Sequence, residues 1–274
     1  MRERNYRLDI KGDHMKGLII KDIMCLKKQL MIFAFVIIGV LVVSVMYVLS
    51  ARFGNIASAG REMLNVKENN LTETDVKNIG SMALIMFMLL PIVTVCDMVN
   101  VFAADGKAGF FKIAGSFPVS LKKRVLARYM TIYALFGIGM TVDIIIAFVL
   151  SLITDMIKFT DFLGIIISAA SLMSIYSACS ILFCILLGYG KEMYAQLLSV
   201  VSIIIGVLLV NIGSVKQAVK TMMEADGEGD ISGLWKILDF IKHKSYIMLI
   251  AAVIVSVATY VLSYMVAERK RGVI

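Results

Sequence analysis

The sequence predicts an all-α, polytopic membrane protein, and three observations lead to this fold class. Hydrophobic residues make up 59% of the 274 residues and charged residues only 18%, whereas soluble domains average about 45–50% and about 25%. The mean hydropathy is +0.87. Six apolar stretches are each long enough for a helix that crosses a hydrocarbon core about 30 Å thick. This composition excludes an ordinary soluble enzyme.

The six spans follow one another in a single transmembrane domain, which we predict for residues 15–274. Their predicted ranges are 30–50, 80–102, 125–150, 162–187, 194–213 and 245–266. Two longer segments, residues 51–79 and 214–244, would lie on the extracytoplasmic side. Residues 1–14 are hydrophilic and irregular, and Met15 offers a natural start, so we treat them as a leader or an expression remnant without a functional role.

The distribution of basic residues predicts that both termini are cytoplasmic. In that orientation 18 of the 28 lysines and arginines lie inside and 10 lie outside, which agrees with the positive-inside rule. The formal net charge of +8 would also suit nucleic acid, but the charges lie between apolar runs and do not line one surface. We therefore predict a multi-pass protein in contact with membrane lipids and no nucleic-acid partner.

Residues 17–30 have the periodicity of an amphipathic helix that lies in the cytoplasmic headgroup region. Apolar residues recur at helical spacing, and polar residues gather on the opposite face. The apolar face holds Ile19, Ile23, Leu26 and Leu30, and the polar face holds Lys21, Asp22, Lys28 and Gln29. We expect an elbow helix before the first span.

The segment between the second and third spans carries large apolar side chains where water is expected. Glycines follow Asp105 at the end of the second span, Pro118 breaks the chain, and Ser120 can cap the next helix. Exposed aromatic clusters of this kind mark interfaces. The large apolar residues are Phe110, Phe111, Ile113 and Phe117. The pattern predicts that a partner protein docks on this segment.

Two aspartates lie inside predicted spans, where a charge costs about 2.5–3.5 kcal/mol at a helix centre. Thr94, Asp97 and Asn100 recur every three residues in the second span, and Asp143 lies in the outer half of the third span. No lysine or arginine within the spans offers a partner. These four residues either line a polar translocation route or form hydrogen bonds that only hold the helices together, and the sequence leaves both interpretations open.

Small residues in the third and fourth spans predict close helix packing, because they let neighbouring backbones approach. They are Gly137, Gly139, Ser168, Ser171, Ser174, Ser177 and Ser180. In the second span, Pro91 predicts a kink.

The sequence lacks the residues and motifs that several kinds of chemistry require. The two histidines, His14 and His243, cannot form an HExxH zinc helix, and no span offers a histidine or lysine base to a serine nucleophile. The phosphate-binding motif GxxxxGK[ST] is absent from the chain. We therefore predict no catalytic residue, no metal site and no cofactor in this chain.

Three stretches make the chain resemble the permease subunits of ABC-2 type transporters. They are MKGLIIKDIMCLKKQL from Met15, the aspartate that ends the second span at Asp105, and GSFPVSLKKRVLARY from Gly115. The order and spacing of the six spans are similar as well. Among these permeases, the chain is similar to those of the phenol-soluble modulin type, which export amphipathic cytolytic peptides.

The resemblance implies a half-transporter of a bacterial plasma membrane. Two copies, forming a homodimer, would surround the route, and each would bind a separate ABC ATPase that holds ATP and Mg²⁺. A coupling helix over about 106–117 would dock on that ATPase, and ATP hydrolysis would move an amphipathic peptide outward. The contact residues would be Phe110, Phe111, Ile113, Phe117 and Pro118.

Two other functions compete with this interpretation. A secondary carrier would use Asp97 or Asp143 as a proton site, although the six spans show no inverted repeat. A membrane anchor or sensor would recruit a soluble partner without transporting anything.

Overall fold

The computed structural model describes residues 16–53, 84–96, 101, 105, 120–153, 159–188, 190–206 and 245–269, and within these ranges the regular secondary structure is helical, with turn or irregular residues between some of the helices. We number the helices in chain order. They are α1 (residues 16–25), α2 (Lys27–Phe53), α3 (Leu90–Cys96), α4 (Leu121–Ile153), α5 (Phe159–Leu187), α6 (Glu192–Gly206) and α7 (Ser245–Arg269).

Four of the described helices are long and apolar enough to cross a membrane. The qualifying stretches are Lys27–Tyr47, Leu121–Leu152, Phe159–Leu187 and Ser245–Arg269. These four helices, and the absence of strands among the described residues, confirm the predicted all-α, multi-pass class. Helix α6 is apolar but shorter, and residues 207–213 of the predicted fifth span lie outside the described residues, as does much of the predicted second span. The count of six therefore stays a prediction.

The helices pack into one bundle in which α5 and α7 share the most extensive interface. Helix α4 packs against α2, α3, α5 and α7, so it is the central helix of the described bundle. Fully buried aliphatic side chains such as Ile92, Ile132 and Ile181 fill the interior. The outer surface is also apolar, with Phe35 67% exposed and Leu152 71% exposed. Apolar residues suit both environments, because lipid tails surround the bundle in a bilayer.

The helix around Pro91 is interrupted, in agreement with the kink predicted there. Residues 84–88 are helical, Leu89 is a turn, and α3 begins at Leu90. The Leu89 N–H donates to the Met86 carbonyl at 3.3 Å, which is a tight turn of the i→i−3 kind. Proline has no N–H, so Pro91 cannot donate to the carbonyl four residues earlier. The missing donor is the physical cause of the break.

Hydroxyl groups connect α4 to α5 and α7. The Ser174 hydroxyl donates to the Tyr133 hydroxyl at 3.1 Å, and the Tyr133 hydroxyl donates to Ser256. Tyr129, one turn earlier on α4, shares a 3.1 Å hydrogen bond with Ser263, about two turns later on α7. The serine stripe of the fourth span is buried or partly buried at each position, so it forms a helix-packing surface. The two glycines differ, because Gly139 is buried whereas Gly137 is exposed and has no neighbour within 4 Å.

The predicted elbow, residues 17–30, corresponds to most of α1 and the first residues of α2, and these two helices meet at Leu26. Helix α1 ends at residue 25, Leu26 is a buried turn residue, and α2 starts at once with Lys27. Two residues depart from the predicted faces: Asp22 of the polar face is 2% exposed, and Ile23 of the apolar face is 41% exposed. Leu26 is buried and Lys28 is exposed, as their predicted faces require. Asp22 is buried because it pairs with Arg128 and Lys21 inside the bundle. An isoleucine on the outer surface costs little because lipid tails are apolar.

Candidate coupling site

Four charged side chains meet at one end of the bundle, and we call them the ion cluster: Lys21, Asp22, Asp105 and Arg128. The Lys21 Nζ donates to both carboxylate oxygens of Asp105, at 2.6 and 2.8 Å. The Arg128 Nη1 donates to Asp22 Oδ1 at 2.8 Å, and its Nη2 contacts Asp105 Oδ2. A 3.2 Å ion pair between Lys21 and Asp22 closes the ring.

The ion cluster joins three segments that are distant in the sequence. Lys21 and Asp22 lie on α1, Arg128 lies in the second turn of α4, and Asp105 immediately precedes the predicted coupling segment. Two positive and two negative groups balance, which is the condition under which charges can be buried together. The burial is deep, with Asp22 2% exposed, Asp105 1% and Arg128 9%.

Opposing influences act on the pKa of Lys21. Burial lowers the pKa of the Lys21 ammonium below the usual value for lysine, and the nearby Arg128 guanidinium lowers it further. Asp22 acts in the opposite direction, through its charge and a hydrogen bond. The planar Arg128 side chain contacts both aspartates at once, a geometry that a guanidinium favours. The contacts of the ion cluster therefore link the three segments that carry its four members.

The predicted coupling residues lie outside the described residues. These are Phe110, Phe111, Ile113, Phe117 and Pro118. The structure does describe both sides of that segment, because Asp105 precedes it and Ser120 follows it. The Ser120 carbonyl accepts hydrogen bonds from the N–H groups of Lys123 and Arg124, at the start of α4. One flank of the segment is thus fixed by the ion cluster and the other by a regular helix start.

Of the four residues predicted to line a route, Thr94 and Asp143 are described, whereas Asp97 and Asn100 lie outside the described residues. The Thr94 hydroxyl donates to the Pro91 carbonyl at 2.9 Å, within its own helix. Asp143 is fully buried in α4, and neither of its carboxylate oxygens has a hydrogen-bond partner among the described residues. The structure does not bring Thr94 and Asp143 into a hydrogen bond with each other.

The sequence indicates the positions of the four cluster residues but not their contacts. It places Asp105 at the end of the second span and Lys21 and Asp22 on the polar face of the elbow. Arg128 is one of the basic residues that the positive-inside rule assigns to the cytoplasmic side. The available signal was charge complementarity, since each of the three segments brings a charge to the same side of the membrane in the predicted topology. The contact itself depends on tertiary packing.

These features define a class: an all-α, multi-pass membrane protein whose helix α1 is joined by ion pairs to Asp105 and to Arg128 of α4. Residues 74–270, well over half of the chain, match the family described as ABC-2 family transporter protein, and the chain belongs to that family. It is accordingly the membrane-spanning permease type of subunit, whose family context implies an ABC ATPase partner. Neither the curated proteins nor the solved structures compared with the chain gave a match.

Proposed function

We propose that the protein is the permease subunit of an ABC exporter, in which two copies form the route and each binds an ABC ATPase through residues 106–117. Membership of the ABC-2 family is the observation that carries this proposal. The ATPase supplies ATP and Mg²⁺, and this chain supplies the membrane path. Phe110, Phe111, Ile113 and Phe117 of this segment make the docking contact, together with Pro118 directly after it.

The geometry of the ion cluster supports coupling through this segment. Asp105 is the residue directly before the docking segment, and it is held by Lys21 of α1 and Arg128 of α4. A movement imposed on residues 106–117 is therefore delivered to α1 and α4 together. Breaking one buried ion pair by removal of a partner costs about 3–5 kcal/mol, so the cluster resists separation of the three segments.

Helix α1 acts in this proposal as the interfacial elbow. Its apolar residues Ile20, Ile23 and Met24 are exposed, whereas Asp22 faces inward. Such a helix rests its apolar side in the headgroup region while its inner side moves with the bundle. The same proposal places the ion cluster and both termini in the cytoplasm of a bacterium, in accord with the excess of basic residues on that side.

The proposed cargo is an amphipathic peptide or a similarly hydrophobic molecule. This assignment rests on the resemblance of the N-terminal and loop motifs to peptide exporters of the phenol-soluble modulin type. In the proposed cycle, ATP hydrolysis closes the cytoplasmic ends of the spans and pushes the cargo outward.

Energised transport is the direct test of this function. Inside-out membrane vesicles that contain the chain and its ABC ATPase should accumulate a fluorescently labelled amphipathic helical peptide when ATP is added. A protonophore should leave accumulation unchanged, and vesicles with Phe110→Ala plus Phe111→Ala should lose it. Accumulation without ATP would refute the exporter assignment.

The burial of Asp143 favours a second candidate, a proton-coupled carrier that uses Asp143 or Asp97. In that case the same vesicles should take up peptide in response to an imposed proton gradient, and depletion of ATP should have no effect. A membrane anchor or sensor, the third possibility, would show no accumulation under either condition. The three functions are thus distinguished by whether ATP, a proton gradient or neither drives accumulation of the peptide.

A further inference from the structure

Asp143 is a buried acid that the coupling mechanism does not use. It lies in the outer half of α4, it is fully buried, and no described residue forms a hydrogen bond with either oxygen. Gly139, one turn earlier on the same face of α4, lies against α3. A methyl group added at Gly139 would sit 3.6 Å from the Pro91 carbonyl oxygen and from Val95 Cγ2. Asp143 is therefore placed beside the interrupted helix.

The charged groups on the neighbouring helices lie near helix ends. On α4 itself the basic residue closest in sequence is Arg128, 15 positions earlier, which corresponds to about 22 Å along the axis. Helix α3 carries no charged residue in its described length. The charged residues of the other three packed helices are Lys27, Lys28 and Arg52 on α2, Asp161 on α5, and Glu268 and Arg269 on α7.

Tyrosines and cysteines are the remaining titratable groups on those helices. They are Tyr47 on α2, Cys96 on α3, Tyr129 and Tyr133 on α4, Tyr176, Cys179 and Cys184 on α5, and Tyr246, Tyr260 and Tyr264 on α7. None of these groups is a cation, so none supplies the positive charge that an ionised Asp143 would need. An acid buried without a counter-charge becomes neutral by taking up a proton.

We propose that Asp143 is a proton-binding site, whose carboxyl group is protonated while α3 and α4 are packed together at Gly139 and releases the proton to water when these helices separate. The balance is simple: the O–H bond breaks, the electron pair stays on the carboxylate, and the proton goes to water. In the separated state water enters the gap between α3 and α4 and reaches the carboxyl group, and an aspartate in water is ionised at neutral pH. Raising the pH therefore favours the separated state.

This inference concerns a site inside the permease and does not depend on an ATPase partner or on the cargo. It also differs from the carrier hypothesis, because the proton is linked to helix separation and does not have to drive transport. One proton released per opening changes the opening equilibrium at most about tenfold per pH unit. That limit gives the experiment a quantitative expectation.

The first measurement is reaction with dicyclohexylcarbodiimide, an apolar reagent that modifies protonated carboxyl groups within membranes. The full chain in lipid nanodiscs should be labelled at Asp143, and labelling should fall as the pH is raised. Asp161, in the first turn of α5 and only partly buried, is the matched control and should react instead with a water-soluble carbodiimide. Absence of labelling at Asp143 at every pH, as expected if Arg52 or an undescribed residue paired with an ionised carboxylate, would overturn the proposal.

The second measurement is hydrogen exchange of the peptide that contains residues 137–147. At each pH the rate for the wild type is divided by the rate for Asp143→Asn, which cancels the intrinsic pH dependence of exchange. The ratio should rise with pH by up to about tenfold per unit, because only the wild type can ionise. Asp143→Glu keeps a titratable group and should behave like the wild type, even if Asp143→Asn folds poorly. A ratio that is constant across the pH range would overturn the linkage.

Discussion

Arg128 donates a 2.8 Å hydrogen bond to Asp22, a residue that precedes it by 106 positions. Asp22 lies on the N-terminal helix α1, before the first span, whereas Arg128 lies near the start of α4, after the proposed docking segment. The same guanidinium also contacts Asp105. Arg128 therefore joins α1 to both flanks of the proposed docking segment.

Replacement of Arg128 by glutamine should destabilise the protein. The change leaves two buried carboxylates with Lys21 as their only cation in the ion cluster, and loss of one partner in a buried ion pair costs about 3–5 kcal/mol. The measurement is thermal unfolding of the purified protein in detergent. Arg128→Lys keeps the charge and should lose less stability, because an ammonium cannot contact both aspartates in the fork geometry of arginine. Equal unfolding temperatures for wild type and Arg128→Gln would contradict the assignment.

Exchange of the charges of Lys21 and Asp105 should restore much of what either single change removes. Lys21→Asp alone leaves three acids around Arg128, and Asp105→Lys alone leaves three cations around Asp22. The double variant returns the ion cluster to neutrality. A double-mutant cycle of unfolding free energies should give a favourable coupling. If the double variant is no more stable than the weaker single variant, the contact is not a functional ion pair.

Gly139 and Gly137 should respond differently to a large side chain. Leucine at position 139 would meet the Pro91 carbonyl and Val95, whereas position 137 has no neighbour within 4 Å. Overpacking typically costs about 1–3 kcal/mol, so Gly139→Leu should unfold at a clearly lower temperature. Gly137→Leu is the matched control and should stay within about 0.5 kcal/mol of the wild type. Equal effects of the two substitutions would argue against the observed approach of α3 and α4.

The hydrogen bond between Tyr133 and Ser256 should contribute modestly to stability. Interhelical hydrogen bonds in membrane proteins couple by about 0.6 kcal/mol on average and by about 1.7 kcal/mol at most. A double-mutant cycle with Tyr133→Phe and Ser256→Ala should therefore give a coupling within this range. Tyr246→Phe, at a position 69% exposed on α7, should cause no measurable change. Zero coupling in the cycle would contradict the interaction.

The sequence predicted the fold class well because hydropathy in a membrane protein follows directly from the solvent. Runs such as 125–150 and 162–187 are predominantly apolar over their whole length, and the structure extends both into longer helices, Leu121–Ile153 and Phe159–Leu187. The break before Pro91 was equally predictable, because it has a local cause in the missing N–H. Local chemistry and solvent preference were sufficient in these cases.

The candidate site was predictable only in part. Amphipathic periodicity placed Asp22 on a water-facing side of the elbow, but the structure buries it against Arg128. Periodicity describes a helix in isolation and carries no information on which distant charge will be its neighbour. Likewise, the sequence marked Asp143 as costly in the membrane but could not show that its oxygens lack a described partner. Such facts depend on how separate helices pack.

The most direct test of the account is copurification of the tagged protein with its ABC ATPase from membranes of the host. The account predicts that a protein with the GxxxxGK[ST] motif is recovered in a stoichiometric ratio and that Phe110→Ala plus Phe111→Ala abolishes its recovery. The matched control, Phe35→Ala plus Phe87→Ala, removes two exposed phenylalanines from the outer surface of the bundle and should leave recovery unchanged. Full recovery of the ATPase, with its hydrolysis still coupled to transport, by the Phe110→Ala plus Phe111→Ala variant would contradict the account.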